Sequence, residues 1–171
     1  MGRKESRIQS WTSRFLLTIF IILTTQNLIS SPVDDHQERF EDVALKIWEY
    51  AELGYLEEKS SGLLQQELED SGFTIQSGIA GIPTAFIAEY NNGGPILGIL
   101  GEFDALPGLS QQNVPFKTAE GLSSANGHAC GHHLFGAASA WAVVAIKEWL
   151  EESGTPGTDR KSTRLNSSHR C

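Results

Sequence analysis

Residues 96–104 read ILGILGEFD and residues 127–152 read GHACGHHLFGAASAWAVVAIKEWLEE, and these two stretches decide the fold. The first begins as an apolar run, which predicts a strand from Ile96 to Phe103. The second is apolar around most of a helical surface, which predicts a long, largely buried helix from about His132 to Glu152. Prolines and glycines between them predict a loop over residues 104–127. A strand, a loop and a buried helix in this order indicate the α/β class.

The sequence before these stretches predicts further helices and strands. In chain order they are helices over Asp34 to Leu53 and Lys59 to Ser71, and strands over Phe73 to Gln76 and Thr84 to Tyr90. The turn sequence Asn91-Asn92-Gly93-Gly94 follows the second of these strands. Because such a turn commonly joins two neighbouring antiparallel strands, it predicts a hairpin between Thr84–Tyr90 and the strand that begins at Ile96.

Charge is distributed unevenly along the 171 residues. The formal net charge is -8, and residues 31–158 hold 5 basic and 19 acidic groups, whereas both ends of the chain are basic. The middle therefore lacks the clustered lysines and arginines that bind nucleic-acid phosphates, which argues against a nucleic-acid partner. The length suggests one domain or a piece of a larger one.

Residues 1–31 have the layout of a secretory signal peptide. Basic residues up to Arg14 precede the apolar run Phe15 to Leu23, and polar and small residues follow it. A stable membrane span needs about 20 mostly apolar residues, roughly twice the uninterrupted run here. Because no clean A-x-A cleavage site is present, an uncleaved signal anchor stays open as the alternative. In either case we expect a secreted or periplasmic protein that meets the membrane only through this segment.

Residues 159–171 look foreign to the rest of the chain. Asp159 to His169 reads DRKSTRLNSSH, which is the translation of one reading frame of a widely used sequencing adapter, and it shows no apolar periodicity. A natural basic tail is the alternative. We expect that this segment is not native, that the natural protein continues beyond Thr158, and that residues 32–158 are the N-terminal portion of its catalytic domain.

Histidines and a cysteine cluster just before the predicted long helix. His128, Cys130, His132 and His133 lie within GHACGHH, and Cys130 is the only cysteine outside the tail. Imidazole and thiolate are common zinc ligands, and glycines on either side of Cys130 allow the backbone a tight path. A histidine-rich loop with a buried cysteine is the alternative. The spacing lacks the paired knuckles of a structural zinc finger.

Two carboxylates end the strand that begins at Ile96. Alternation along a strand places the side chains of Glu102 and Asp104 on the same side, at the carboxyl end where open α/β sheets build their sites. Asp104 could bind a metal directly or accept a hydrogen bond from a histidine that does. Two solvated carboxylates before a Pro-Gly turn are the alternative.

Together, GILGEFDALPGLSQ and GHACGHHLFGAASA resemble the M20 family of metallopeptidases and amidohydrolases. The likeness runs from about Phe40 to Thr158 and is strongest to the branch of aminobenzoyl-glutamate hydrolases and related amidohydrolases. It implies the N-terminal part of a zinc-exopeptidase-like α/β catalytic domain, truncated, with helices packed on a mixed sheet.

The resemblance also implies roles for individual residues. Cys130 and His132 match metal ligands, Asp104 matches the aspartate that orients the site, and His128 is either a ligand or another residue of the site. Glu102 stands where many members have a ligating histidine, and His133 where relatives often have Asp or Asn, so the roles of both stay open.

The resemblance further implies an enzyme that this chain carries only in part. Family members use two adjacent glutamates, one as general base, which we expect beyond Thr158; Glu151 and Glu152 read as solvated surface instead. The implied activity is metal-dependent hydrolysis of an amide in an N-acyl or aminobenzoyl amino acid or dipeptide, with two zinc or manganese ions. We expect the fragment to be inactive alone, and the intact protein to form a homo-oligomer through a lid domain. A non-catalytic metal-binding or interaction domain is the alternative function.

Overall fold

The computed structural model describes residues 33–112, 114–116 and 125–163. The chain divides into two compact units, Met1–Asp35 and His36–Cys171, and the fold below is that of the second. The predicted signal segment, residues 1–31, lies outside the described residues. Among the described residues, no helix is long and apolar enough to cross a membrane.

Within residues 33–112, 114–116 and 125–163, three α-helices and four β-strands form a mixed α/β domain, which confirms the predicted fold class. In chain order the elements are α1 (Gln37–Tyr50), α2 (Glu58–Asp70), β1 (Thr74–Ser77), β2 (Phe86–Asn91), β3 (Ile96–Gly101), α3 (His132–Ser153) and β4 (Thr158–Thr163). Short 3-10 helices lie at Asp34–His36 and Ile79–Gly81. The strand order is β1-β2-β4-β3; the β1–β2 and β2–β4 pairs are antiparallel, and β3–β4 is parallel.

The core lies between the helices and the sheet. Its largest fully buried apolar side chains come from α1, α2, β2 and the segment after β3: Phe40, Ile47, Leu64, Leu68, Phe86 and Phe103. The long helix α3 has the predicted bounds to within one residue, but its buried stripe differs from the expectation. Leu134, Phe135 and Trp149 are exposed, whereas small residues such as Ala137 and Ala140 face the core. Small side chains let the helix approach the strands closely, which places α3 directly against the end of β3.

The predicted hairpin between β2 and β3 is wrong, because β4 lies between these two strands. The turn after β2 reverses the chain as expected, but it passes around the start of β4. Asn92 N–H donates to the Gly157 carbonyl at 3.1 Å, and Thr158 N–H donates to the Pro95 carbonyl at 3.0 Å. Gly94 has φ +70°, and a Cβ there would lie 2.4 Å from the Pro156 oxygen. The pairing of β4 with β2 and β3 joins distant parts of the sequence, because α3 lies between β3 and β4 in the chain.

Residues 159–163 of the predicted foreign tail, together with Thr158, form β4, the strand between β2 and β3. Two polar side chains of β4 point into the core: Asp159 and Lys161 are both 0% exposed, and their charged atoms have no hydrogen-bond partner among the described residues. Lys161 Nζ lies 4.3 Å from the centroid of the Phe86 ring. Burial lowers the pKa of Lys161 to about 7 and raises the pKa of Asp159 to about 7. Residues 164–171 lie outside the described residues, and the foreign origin of the tail stays a prediction.

Candidate metal centre

The side chain of His132 lies between two carboxylates at the end of β3. Its Nδ1 is 2.8 Å from Asp104 Oδ1, and its Nε2 is 3.1 Å from Glu102 Oε2. His132 is the first residue of α3, and Glu102 and Asp104 follow the last residue of β3. The side chains of His132 and Glu102 are 9% and 6% exposed, and that of Asp104 is 24% exposed. Glu102 and Asp104 therefore lie beside the same histidine, although β3 ends at Gly101, before both of them, and not at the predicted Phe103.

Close packing of α3 against the chain after β3 holds this arrangement. A Cβ at Gly136, one helical turn after His132, would lie 2.9 Å from the Phe103 Cβ and 3.0 Å from the Glu102 backbone oxygen. Any larger residue at position 136 would push the helix away from the strand end. Gly136 thus sets the distance between the histidine and the two carboxylates, a role that its place in an apolar helix did not reveal in the sequence.

The loop that carries Asp104 is also tied to the segment between α1 and α2. Ala105 N–H donates to the Glu52 carbonyl at 2.7 Å. The Glu52 carboxylate accepts hydrogen bonds from the backbone N–H groups of Lys59 and Ser60, at 3.0 and 2.8 Å, in the first turn of α2. Glu52 therefore connects the loop that carries Asp104 to the N-terminus of α2. No sequence pattern marked Glu52, because its partners become neighbours only in the fold.

His128 and His133 form a second, buried group beside Trp48. The two imidazole centroids lie 5.1 Å apart, and the Trp48 ring packs against both. His128 Nε2 lies 2.9 Å from the Ile47 carbonyl, so we assign a proton to that nitrogen. Burial lowers the pKa of His128, and burial followed by repulsion from His128 lowers the pKa of His133 to about 4. Both imidazoles are therefore neutral near pH 7, when they can serve as acceptors or ligands.

Cys130 does not join the carboxylates and His132. It is exposed, it is a free thiol, and it is not one of the described residues whose donor atoms form a candidate metal group. Gly131, which follows it, has φ +75° and provides the sharp bend into α3. The ligand role that the family resemblance implies for Cys130 thus stays a prediction. Trp48, which packs on the histidine group, was not predicted as a site residue.

Glu102, Asp104 and His132 fit a divalent metal ion. One donor atom from each residue lies within 4.8 Å of the other two, and two of the three residues are buried. Imidazole nitrogen and carboxylate oxygen are ligands that zinc and manganese accept. The fold and the site therefore define a class: an α/β domain with a candidate metal centre at the carboxyl end of a strand.

Comparison with known proteins finds relatives of this chain in sequence and in fold. Over 132 residues the chain is 40% identical to a subunit of the p-aminobenzoyl-glutamate hydrolase of Escherichia coli K12, a match that covers 77% of this chain and 27% of that protein. It is 30% identical over 98 residues to hippurate hydrolase of Campylobacter jejuni, covering 57% and 25% respectively. The Bacillus subtilis YxeP protein, a dinuclear metal-binding peptidase of the M20 family, superposes with a TM-score of 0.59 at 24% identity, covering 77% of this chain and 36% of that one.

The chain is thus similar in sequence to an aminobenzoyl-glutamate hydrolase and in fold to a peptidase of the M20 family of metallopeptidases and amidohydrolases. This confirms the resemblance seen in the two motifs, although no family model matches the chain. The chain spans about a quarter of the length of these two curated relatives, at 27% and 25%.

Proposed function

We propose that the intact protein hydrolyses amide bonds in a metal-dependent reaction. The substrate is an N-acyl or aminobenzoyl amino acid or a dipeptide, and water is the second reactant. The observation that carries the proposal is the buried His132, held between Glu102 and Asp104 in a domain with the fold of an M20 peptidase. The names of two relatives, p-aminobenzoyl-glutamate hydrolase and hippurate hydrolase, support amide substrates of this kind.

A cleft beside the histidine group supports a small-molecule substrate. It has a volume of about 560 Å³ and lies between the end of α1 and the loop segments at residues 110–111 and 125–127. Trp48 lines this cleft and also packs against His128 and His133. Pockets for small ligands commonly measure about 300–1,000 Å³, so the cleft is large enough for an acyl amino acid.

The chain's own residues would orient the centre. Asp104, whose Oδ1 lies 2.8 Å from Nδ1 of His132, would accept a hydrogen bond from that nitrogen and so orient the ring that would bind a metal ion. The apolar contacts of Trp48 with the neighbouring imidazoles exclude water from one side of the group. Divalent ions, which we propose to be two zinc or manganese ions, would supply Lewis-acid activation of water and of the amide carbonyl. We place the general-base glutamate in the natural continuation after Thr158.

The proposal is tested by assaying a full-length clone with its natural continuation. Hippurate, aminobenzoyl-glutamate and a set of dipeptides are offered to the zinc- or manganese-loaded protein, with and without a chelator. We expect turnover that the chelator abolishes and that added metal restores. Chelator-insensitive turnover, or no turnover on any amide by a protein that contains metal, would support the non-catalytic alternative instead.

We also propose that the protein is exported through residues 1–31 and that the intact form is a homo-oligomer. The basic and apolar order of the N-terminal segment supports export. Cell fractionation of the chain, compared with a variant that lacks residues 1–31, tests it: both forms in the cytosol would contradict export. Light scattering of the full-length protein measures its oligomeric state, and a monomer would contradict the second proposal.

A further inference from the structure

The cleft that Trp48 lines is bordered by a carboxylate and by a side-chain amide. Glu49 and Asn126 both line it, and the described part of the lining contains no lysine or arginine. Lys59, whose Nζ lies 5.6 Å from the centroid of the Tyr50 ring, is not one of the lining residues. The cleft therefore disfavours a substrate carboxylate, which Glu49 would repel, and favours a group that donates hydrogen bonds.

The backbone around Asn126 is held by hydrogen bonds on both sides of this residue. Leu106 N–H donates to the Gly127 carbonyl, and Gly127 N–H donates to the Leu106 carbonyl, both at 2.9 Å. On the other side, Ser110 N–H donates to the Ala125 carbonyl at 3.1 Å. Asn126 is therefore tied to the loop after β3 at the residue before it and at the residue after it.

The side-chain amide of Asn126 is oriented by one further contact. Its Nδ2 donates to the carbonyl of Ala51, the C-terminal cap of α1, at 3.1 Å. An amide oxygen can accept two hydrogen bonds, and no described residue donates one to Asn126 Oδ1. Asn126 thus holds an oriented acceptor at the wall of the cleft.

We propose that the cleft binds an amino group on the acyl part of the substrate, and that Asn126 and Glu49 determine this specificity. Asn126 Oδ1 accepts one N–H of the amine, and the Glu49 carboxylate accepts another. The carboxylate of the substrate belongs to its amino-acid part, which Glu49 keeps out of the cleft. This inference rests on the amide hydrolysis proposed above and names the substrate class of that same site.

The position of Trp48 determines how far the amino group lies from the scissile bond. The Trp48 ring lines the cleft and packs edge-on against His133, the residue after His132, with 4.9 Å between the ring centroids. An indole ring therefore lies between the cleft and the start of α3. The α-amino group of a dipeptide is only two bonds from the scissile carbonyl carbon, which is too close to reach past this ring. An amine at the far end of an aromatic or a long aliphatic acyl group has the necessary reach.

Matched substrate pairs test the proposal in the full-length, metal-loaded protein. p-Aminobenzoyl-glutamate is compared with p-methylbenzoyl-glutamate, which has a similar size but no donor, and ε-aminohexanoyl-glutamate with heptanoyl-glutamate. We expect kcat/KM to favour the amino member of a pair by about 10–100-fold, the range for a hydrogen bond to a charged group. The pair that shows this preference tells whether the amine is aromatic or aliphatic. No preference in either pair overturns the proposal.

Variants of the two lining residues test their assignment. Glu49→Gln, which changes an exposed side chain, and Asn126→Ala should each remove most of the preference while the methyl or alkyl member is hydrolysed as before. A merely structural role would lower kcat/KM for both members alike. Glu41→Gln changes an exposed glutamate of α1 outside the cleft lining, and this control should keep the preference. An unchanged preference in Glu49→Gln or in Asn126→Ala overturns the proposal.

Ligand binding separates this proposal from the proposed function, because it needs no turnover. Calorimetry compares p-aminobenzamide with p-methylbenzamide on the same full-length protein. We expect tighter binding of the amino compound and loss of this difference in Glu49→Gln; equal binding of the two compounds, or binding of neither, overturns the proposal. Amine-selective binding without turnover of any amide would contradict only the proposed function.

Discussion

Lys161 and Asp159 offer the sharpest test of the structure, because both are buried in the core and the structure describes no hydrogen-bond partner for their charged atoms. Burial lowers the pKa of Lys161 from 10.5 to about 7. At about 1.4 kcal/mol for each pKa unit, the charged lysine costs the folded state about 5 kcal/mol. Methionine has a similar length and no charge, so Lys161→Met is expected to raise the free energy of unfolding by several kcal/mol, with about 5 kcal/mol as the upper limit.

The pH dependence of stability follows from the same two groups with opposite signs. Between about pH 7 and 10.5 the unfolded chain binds the Lys161 proton and the folded chain does not, so stability rises with pH. The pKa of Asp159 is raised from 3.8 to about 7, so between these values the folded chain holds a proton that the unfolded chain releases. Stability therefore falls with rising pH in that window. Together, the two groups give the free energy of unfolding a minimum near pH 7.

Urea unfolding at pH 5, 7 and 9 measures both effects. Lys161→Met should flatten the rise above pH 7, and Asp159→Val should flatten the fall below it. Lys46→Met is the control, because the side chain of Lys46 is 45% exposed and paired with Asp42, and such a change is expected to stay within about 0.5 kcal/mol. Equal or lower stability of Lys161→Met at pH 7 would refute the placement of β4 in the core.

Three further predictions concern the metal centre, the helix that supports it and the edge of the sheet. His132→Ala and Cys130→Ser in the full-length protein should each lose metal, as elemental analysis would show; full retention by either variant removes that residue from the ligand set. Gly136→Ala should lower the free energy of unfolding by about 1–3 kcal/mol, because the added methyl group meets Phe103, and an unchanged urea midpoint would contradict this close contact. We expect the chain to self-associate through β3, the edge strand of the described sheet, where Leu97 is 51% exposed; Leu97→Lys should reduce this self-association in sedimentation, and an unchanged sedimentation profile would argue against it.

Local patterns in the sequence predicted the helices and the convergence of the two carboxylates. The helices α1, α2 and α3 lie where apolar spacing placed them, because each buries one stripe of side chains. Glu102 and Asp104 lie beside one histidine, as their spacing of two residues indicated, although both follow the end of β3. The contacts of Trp48 and Glu52 were not predictable in this way. Each depends on a partner from a distant part of the chain, and no spacing rule relates them.

The predicted pairing of β2 with β3 is wrong for a reason that also explains the position of β4. With β2 and β3 held apart by a strand's width, the facing backbone N–H and C=O groups of both strands need partners, and the segment that follows α3 is the one that returns to this gap. Backbone pairing is largely independent of side-chain identity, so even the polar sequence TDRKST can supply it. Side chains decide the energetic cost instead, and here Asp159 and Lys161 face apolar neighbours. The position between β2 and β3 thus requires a strand that can pair with both neighbours and that has apolar side chains on its core face. β4 supplies the backbone pairing but places Asp159 and Lys161 in the core.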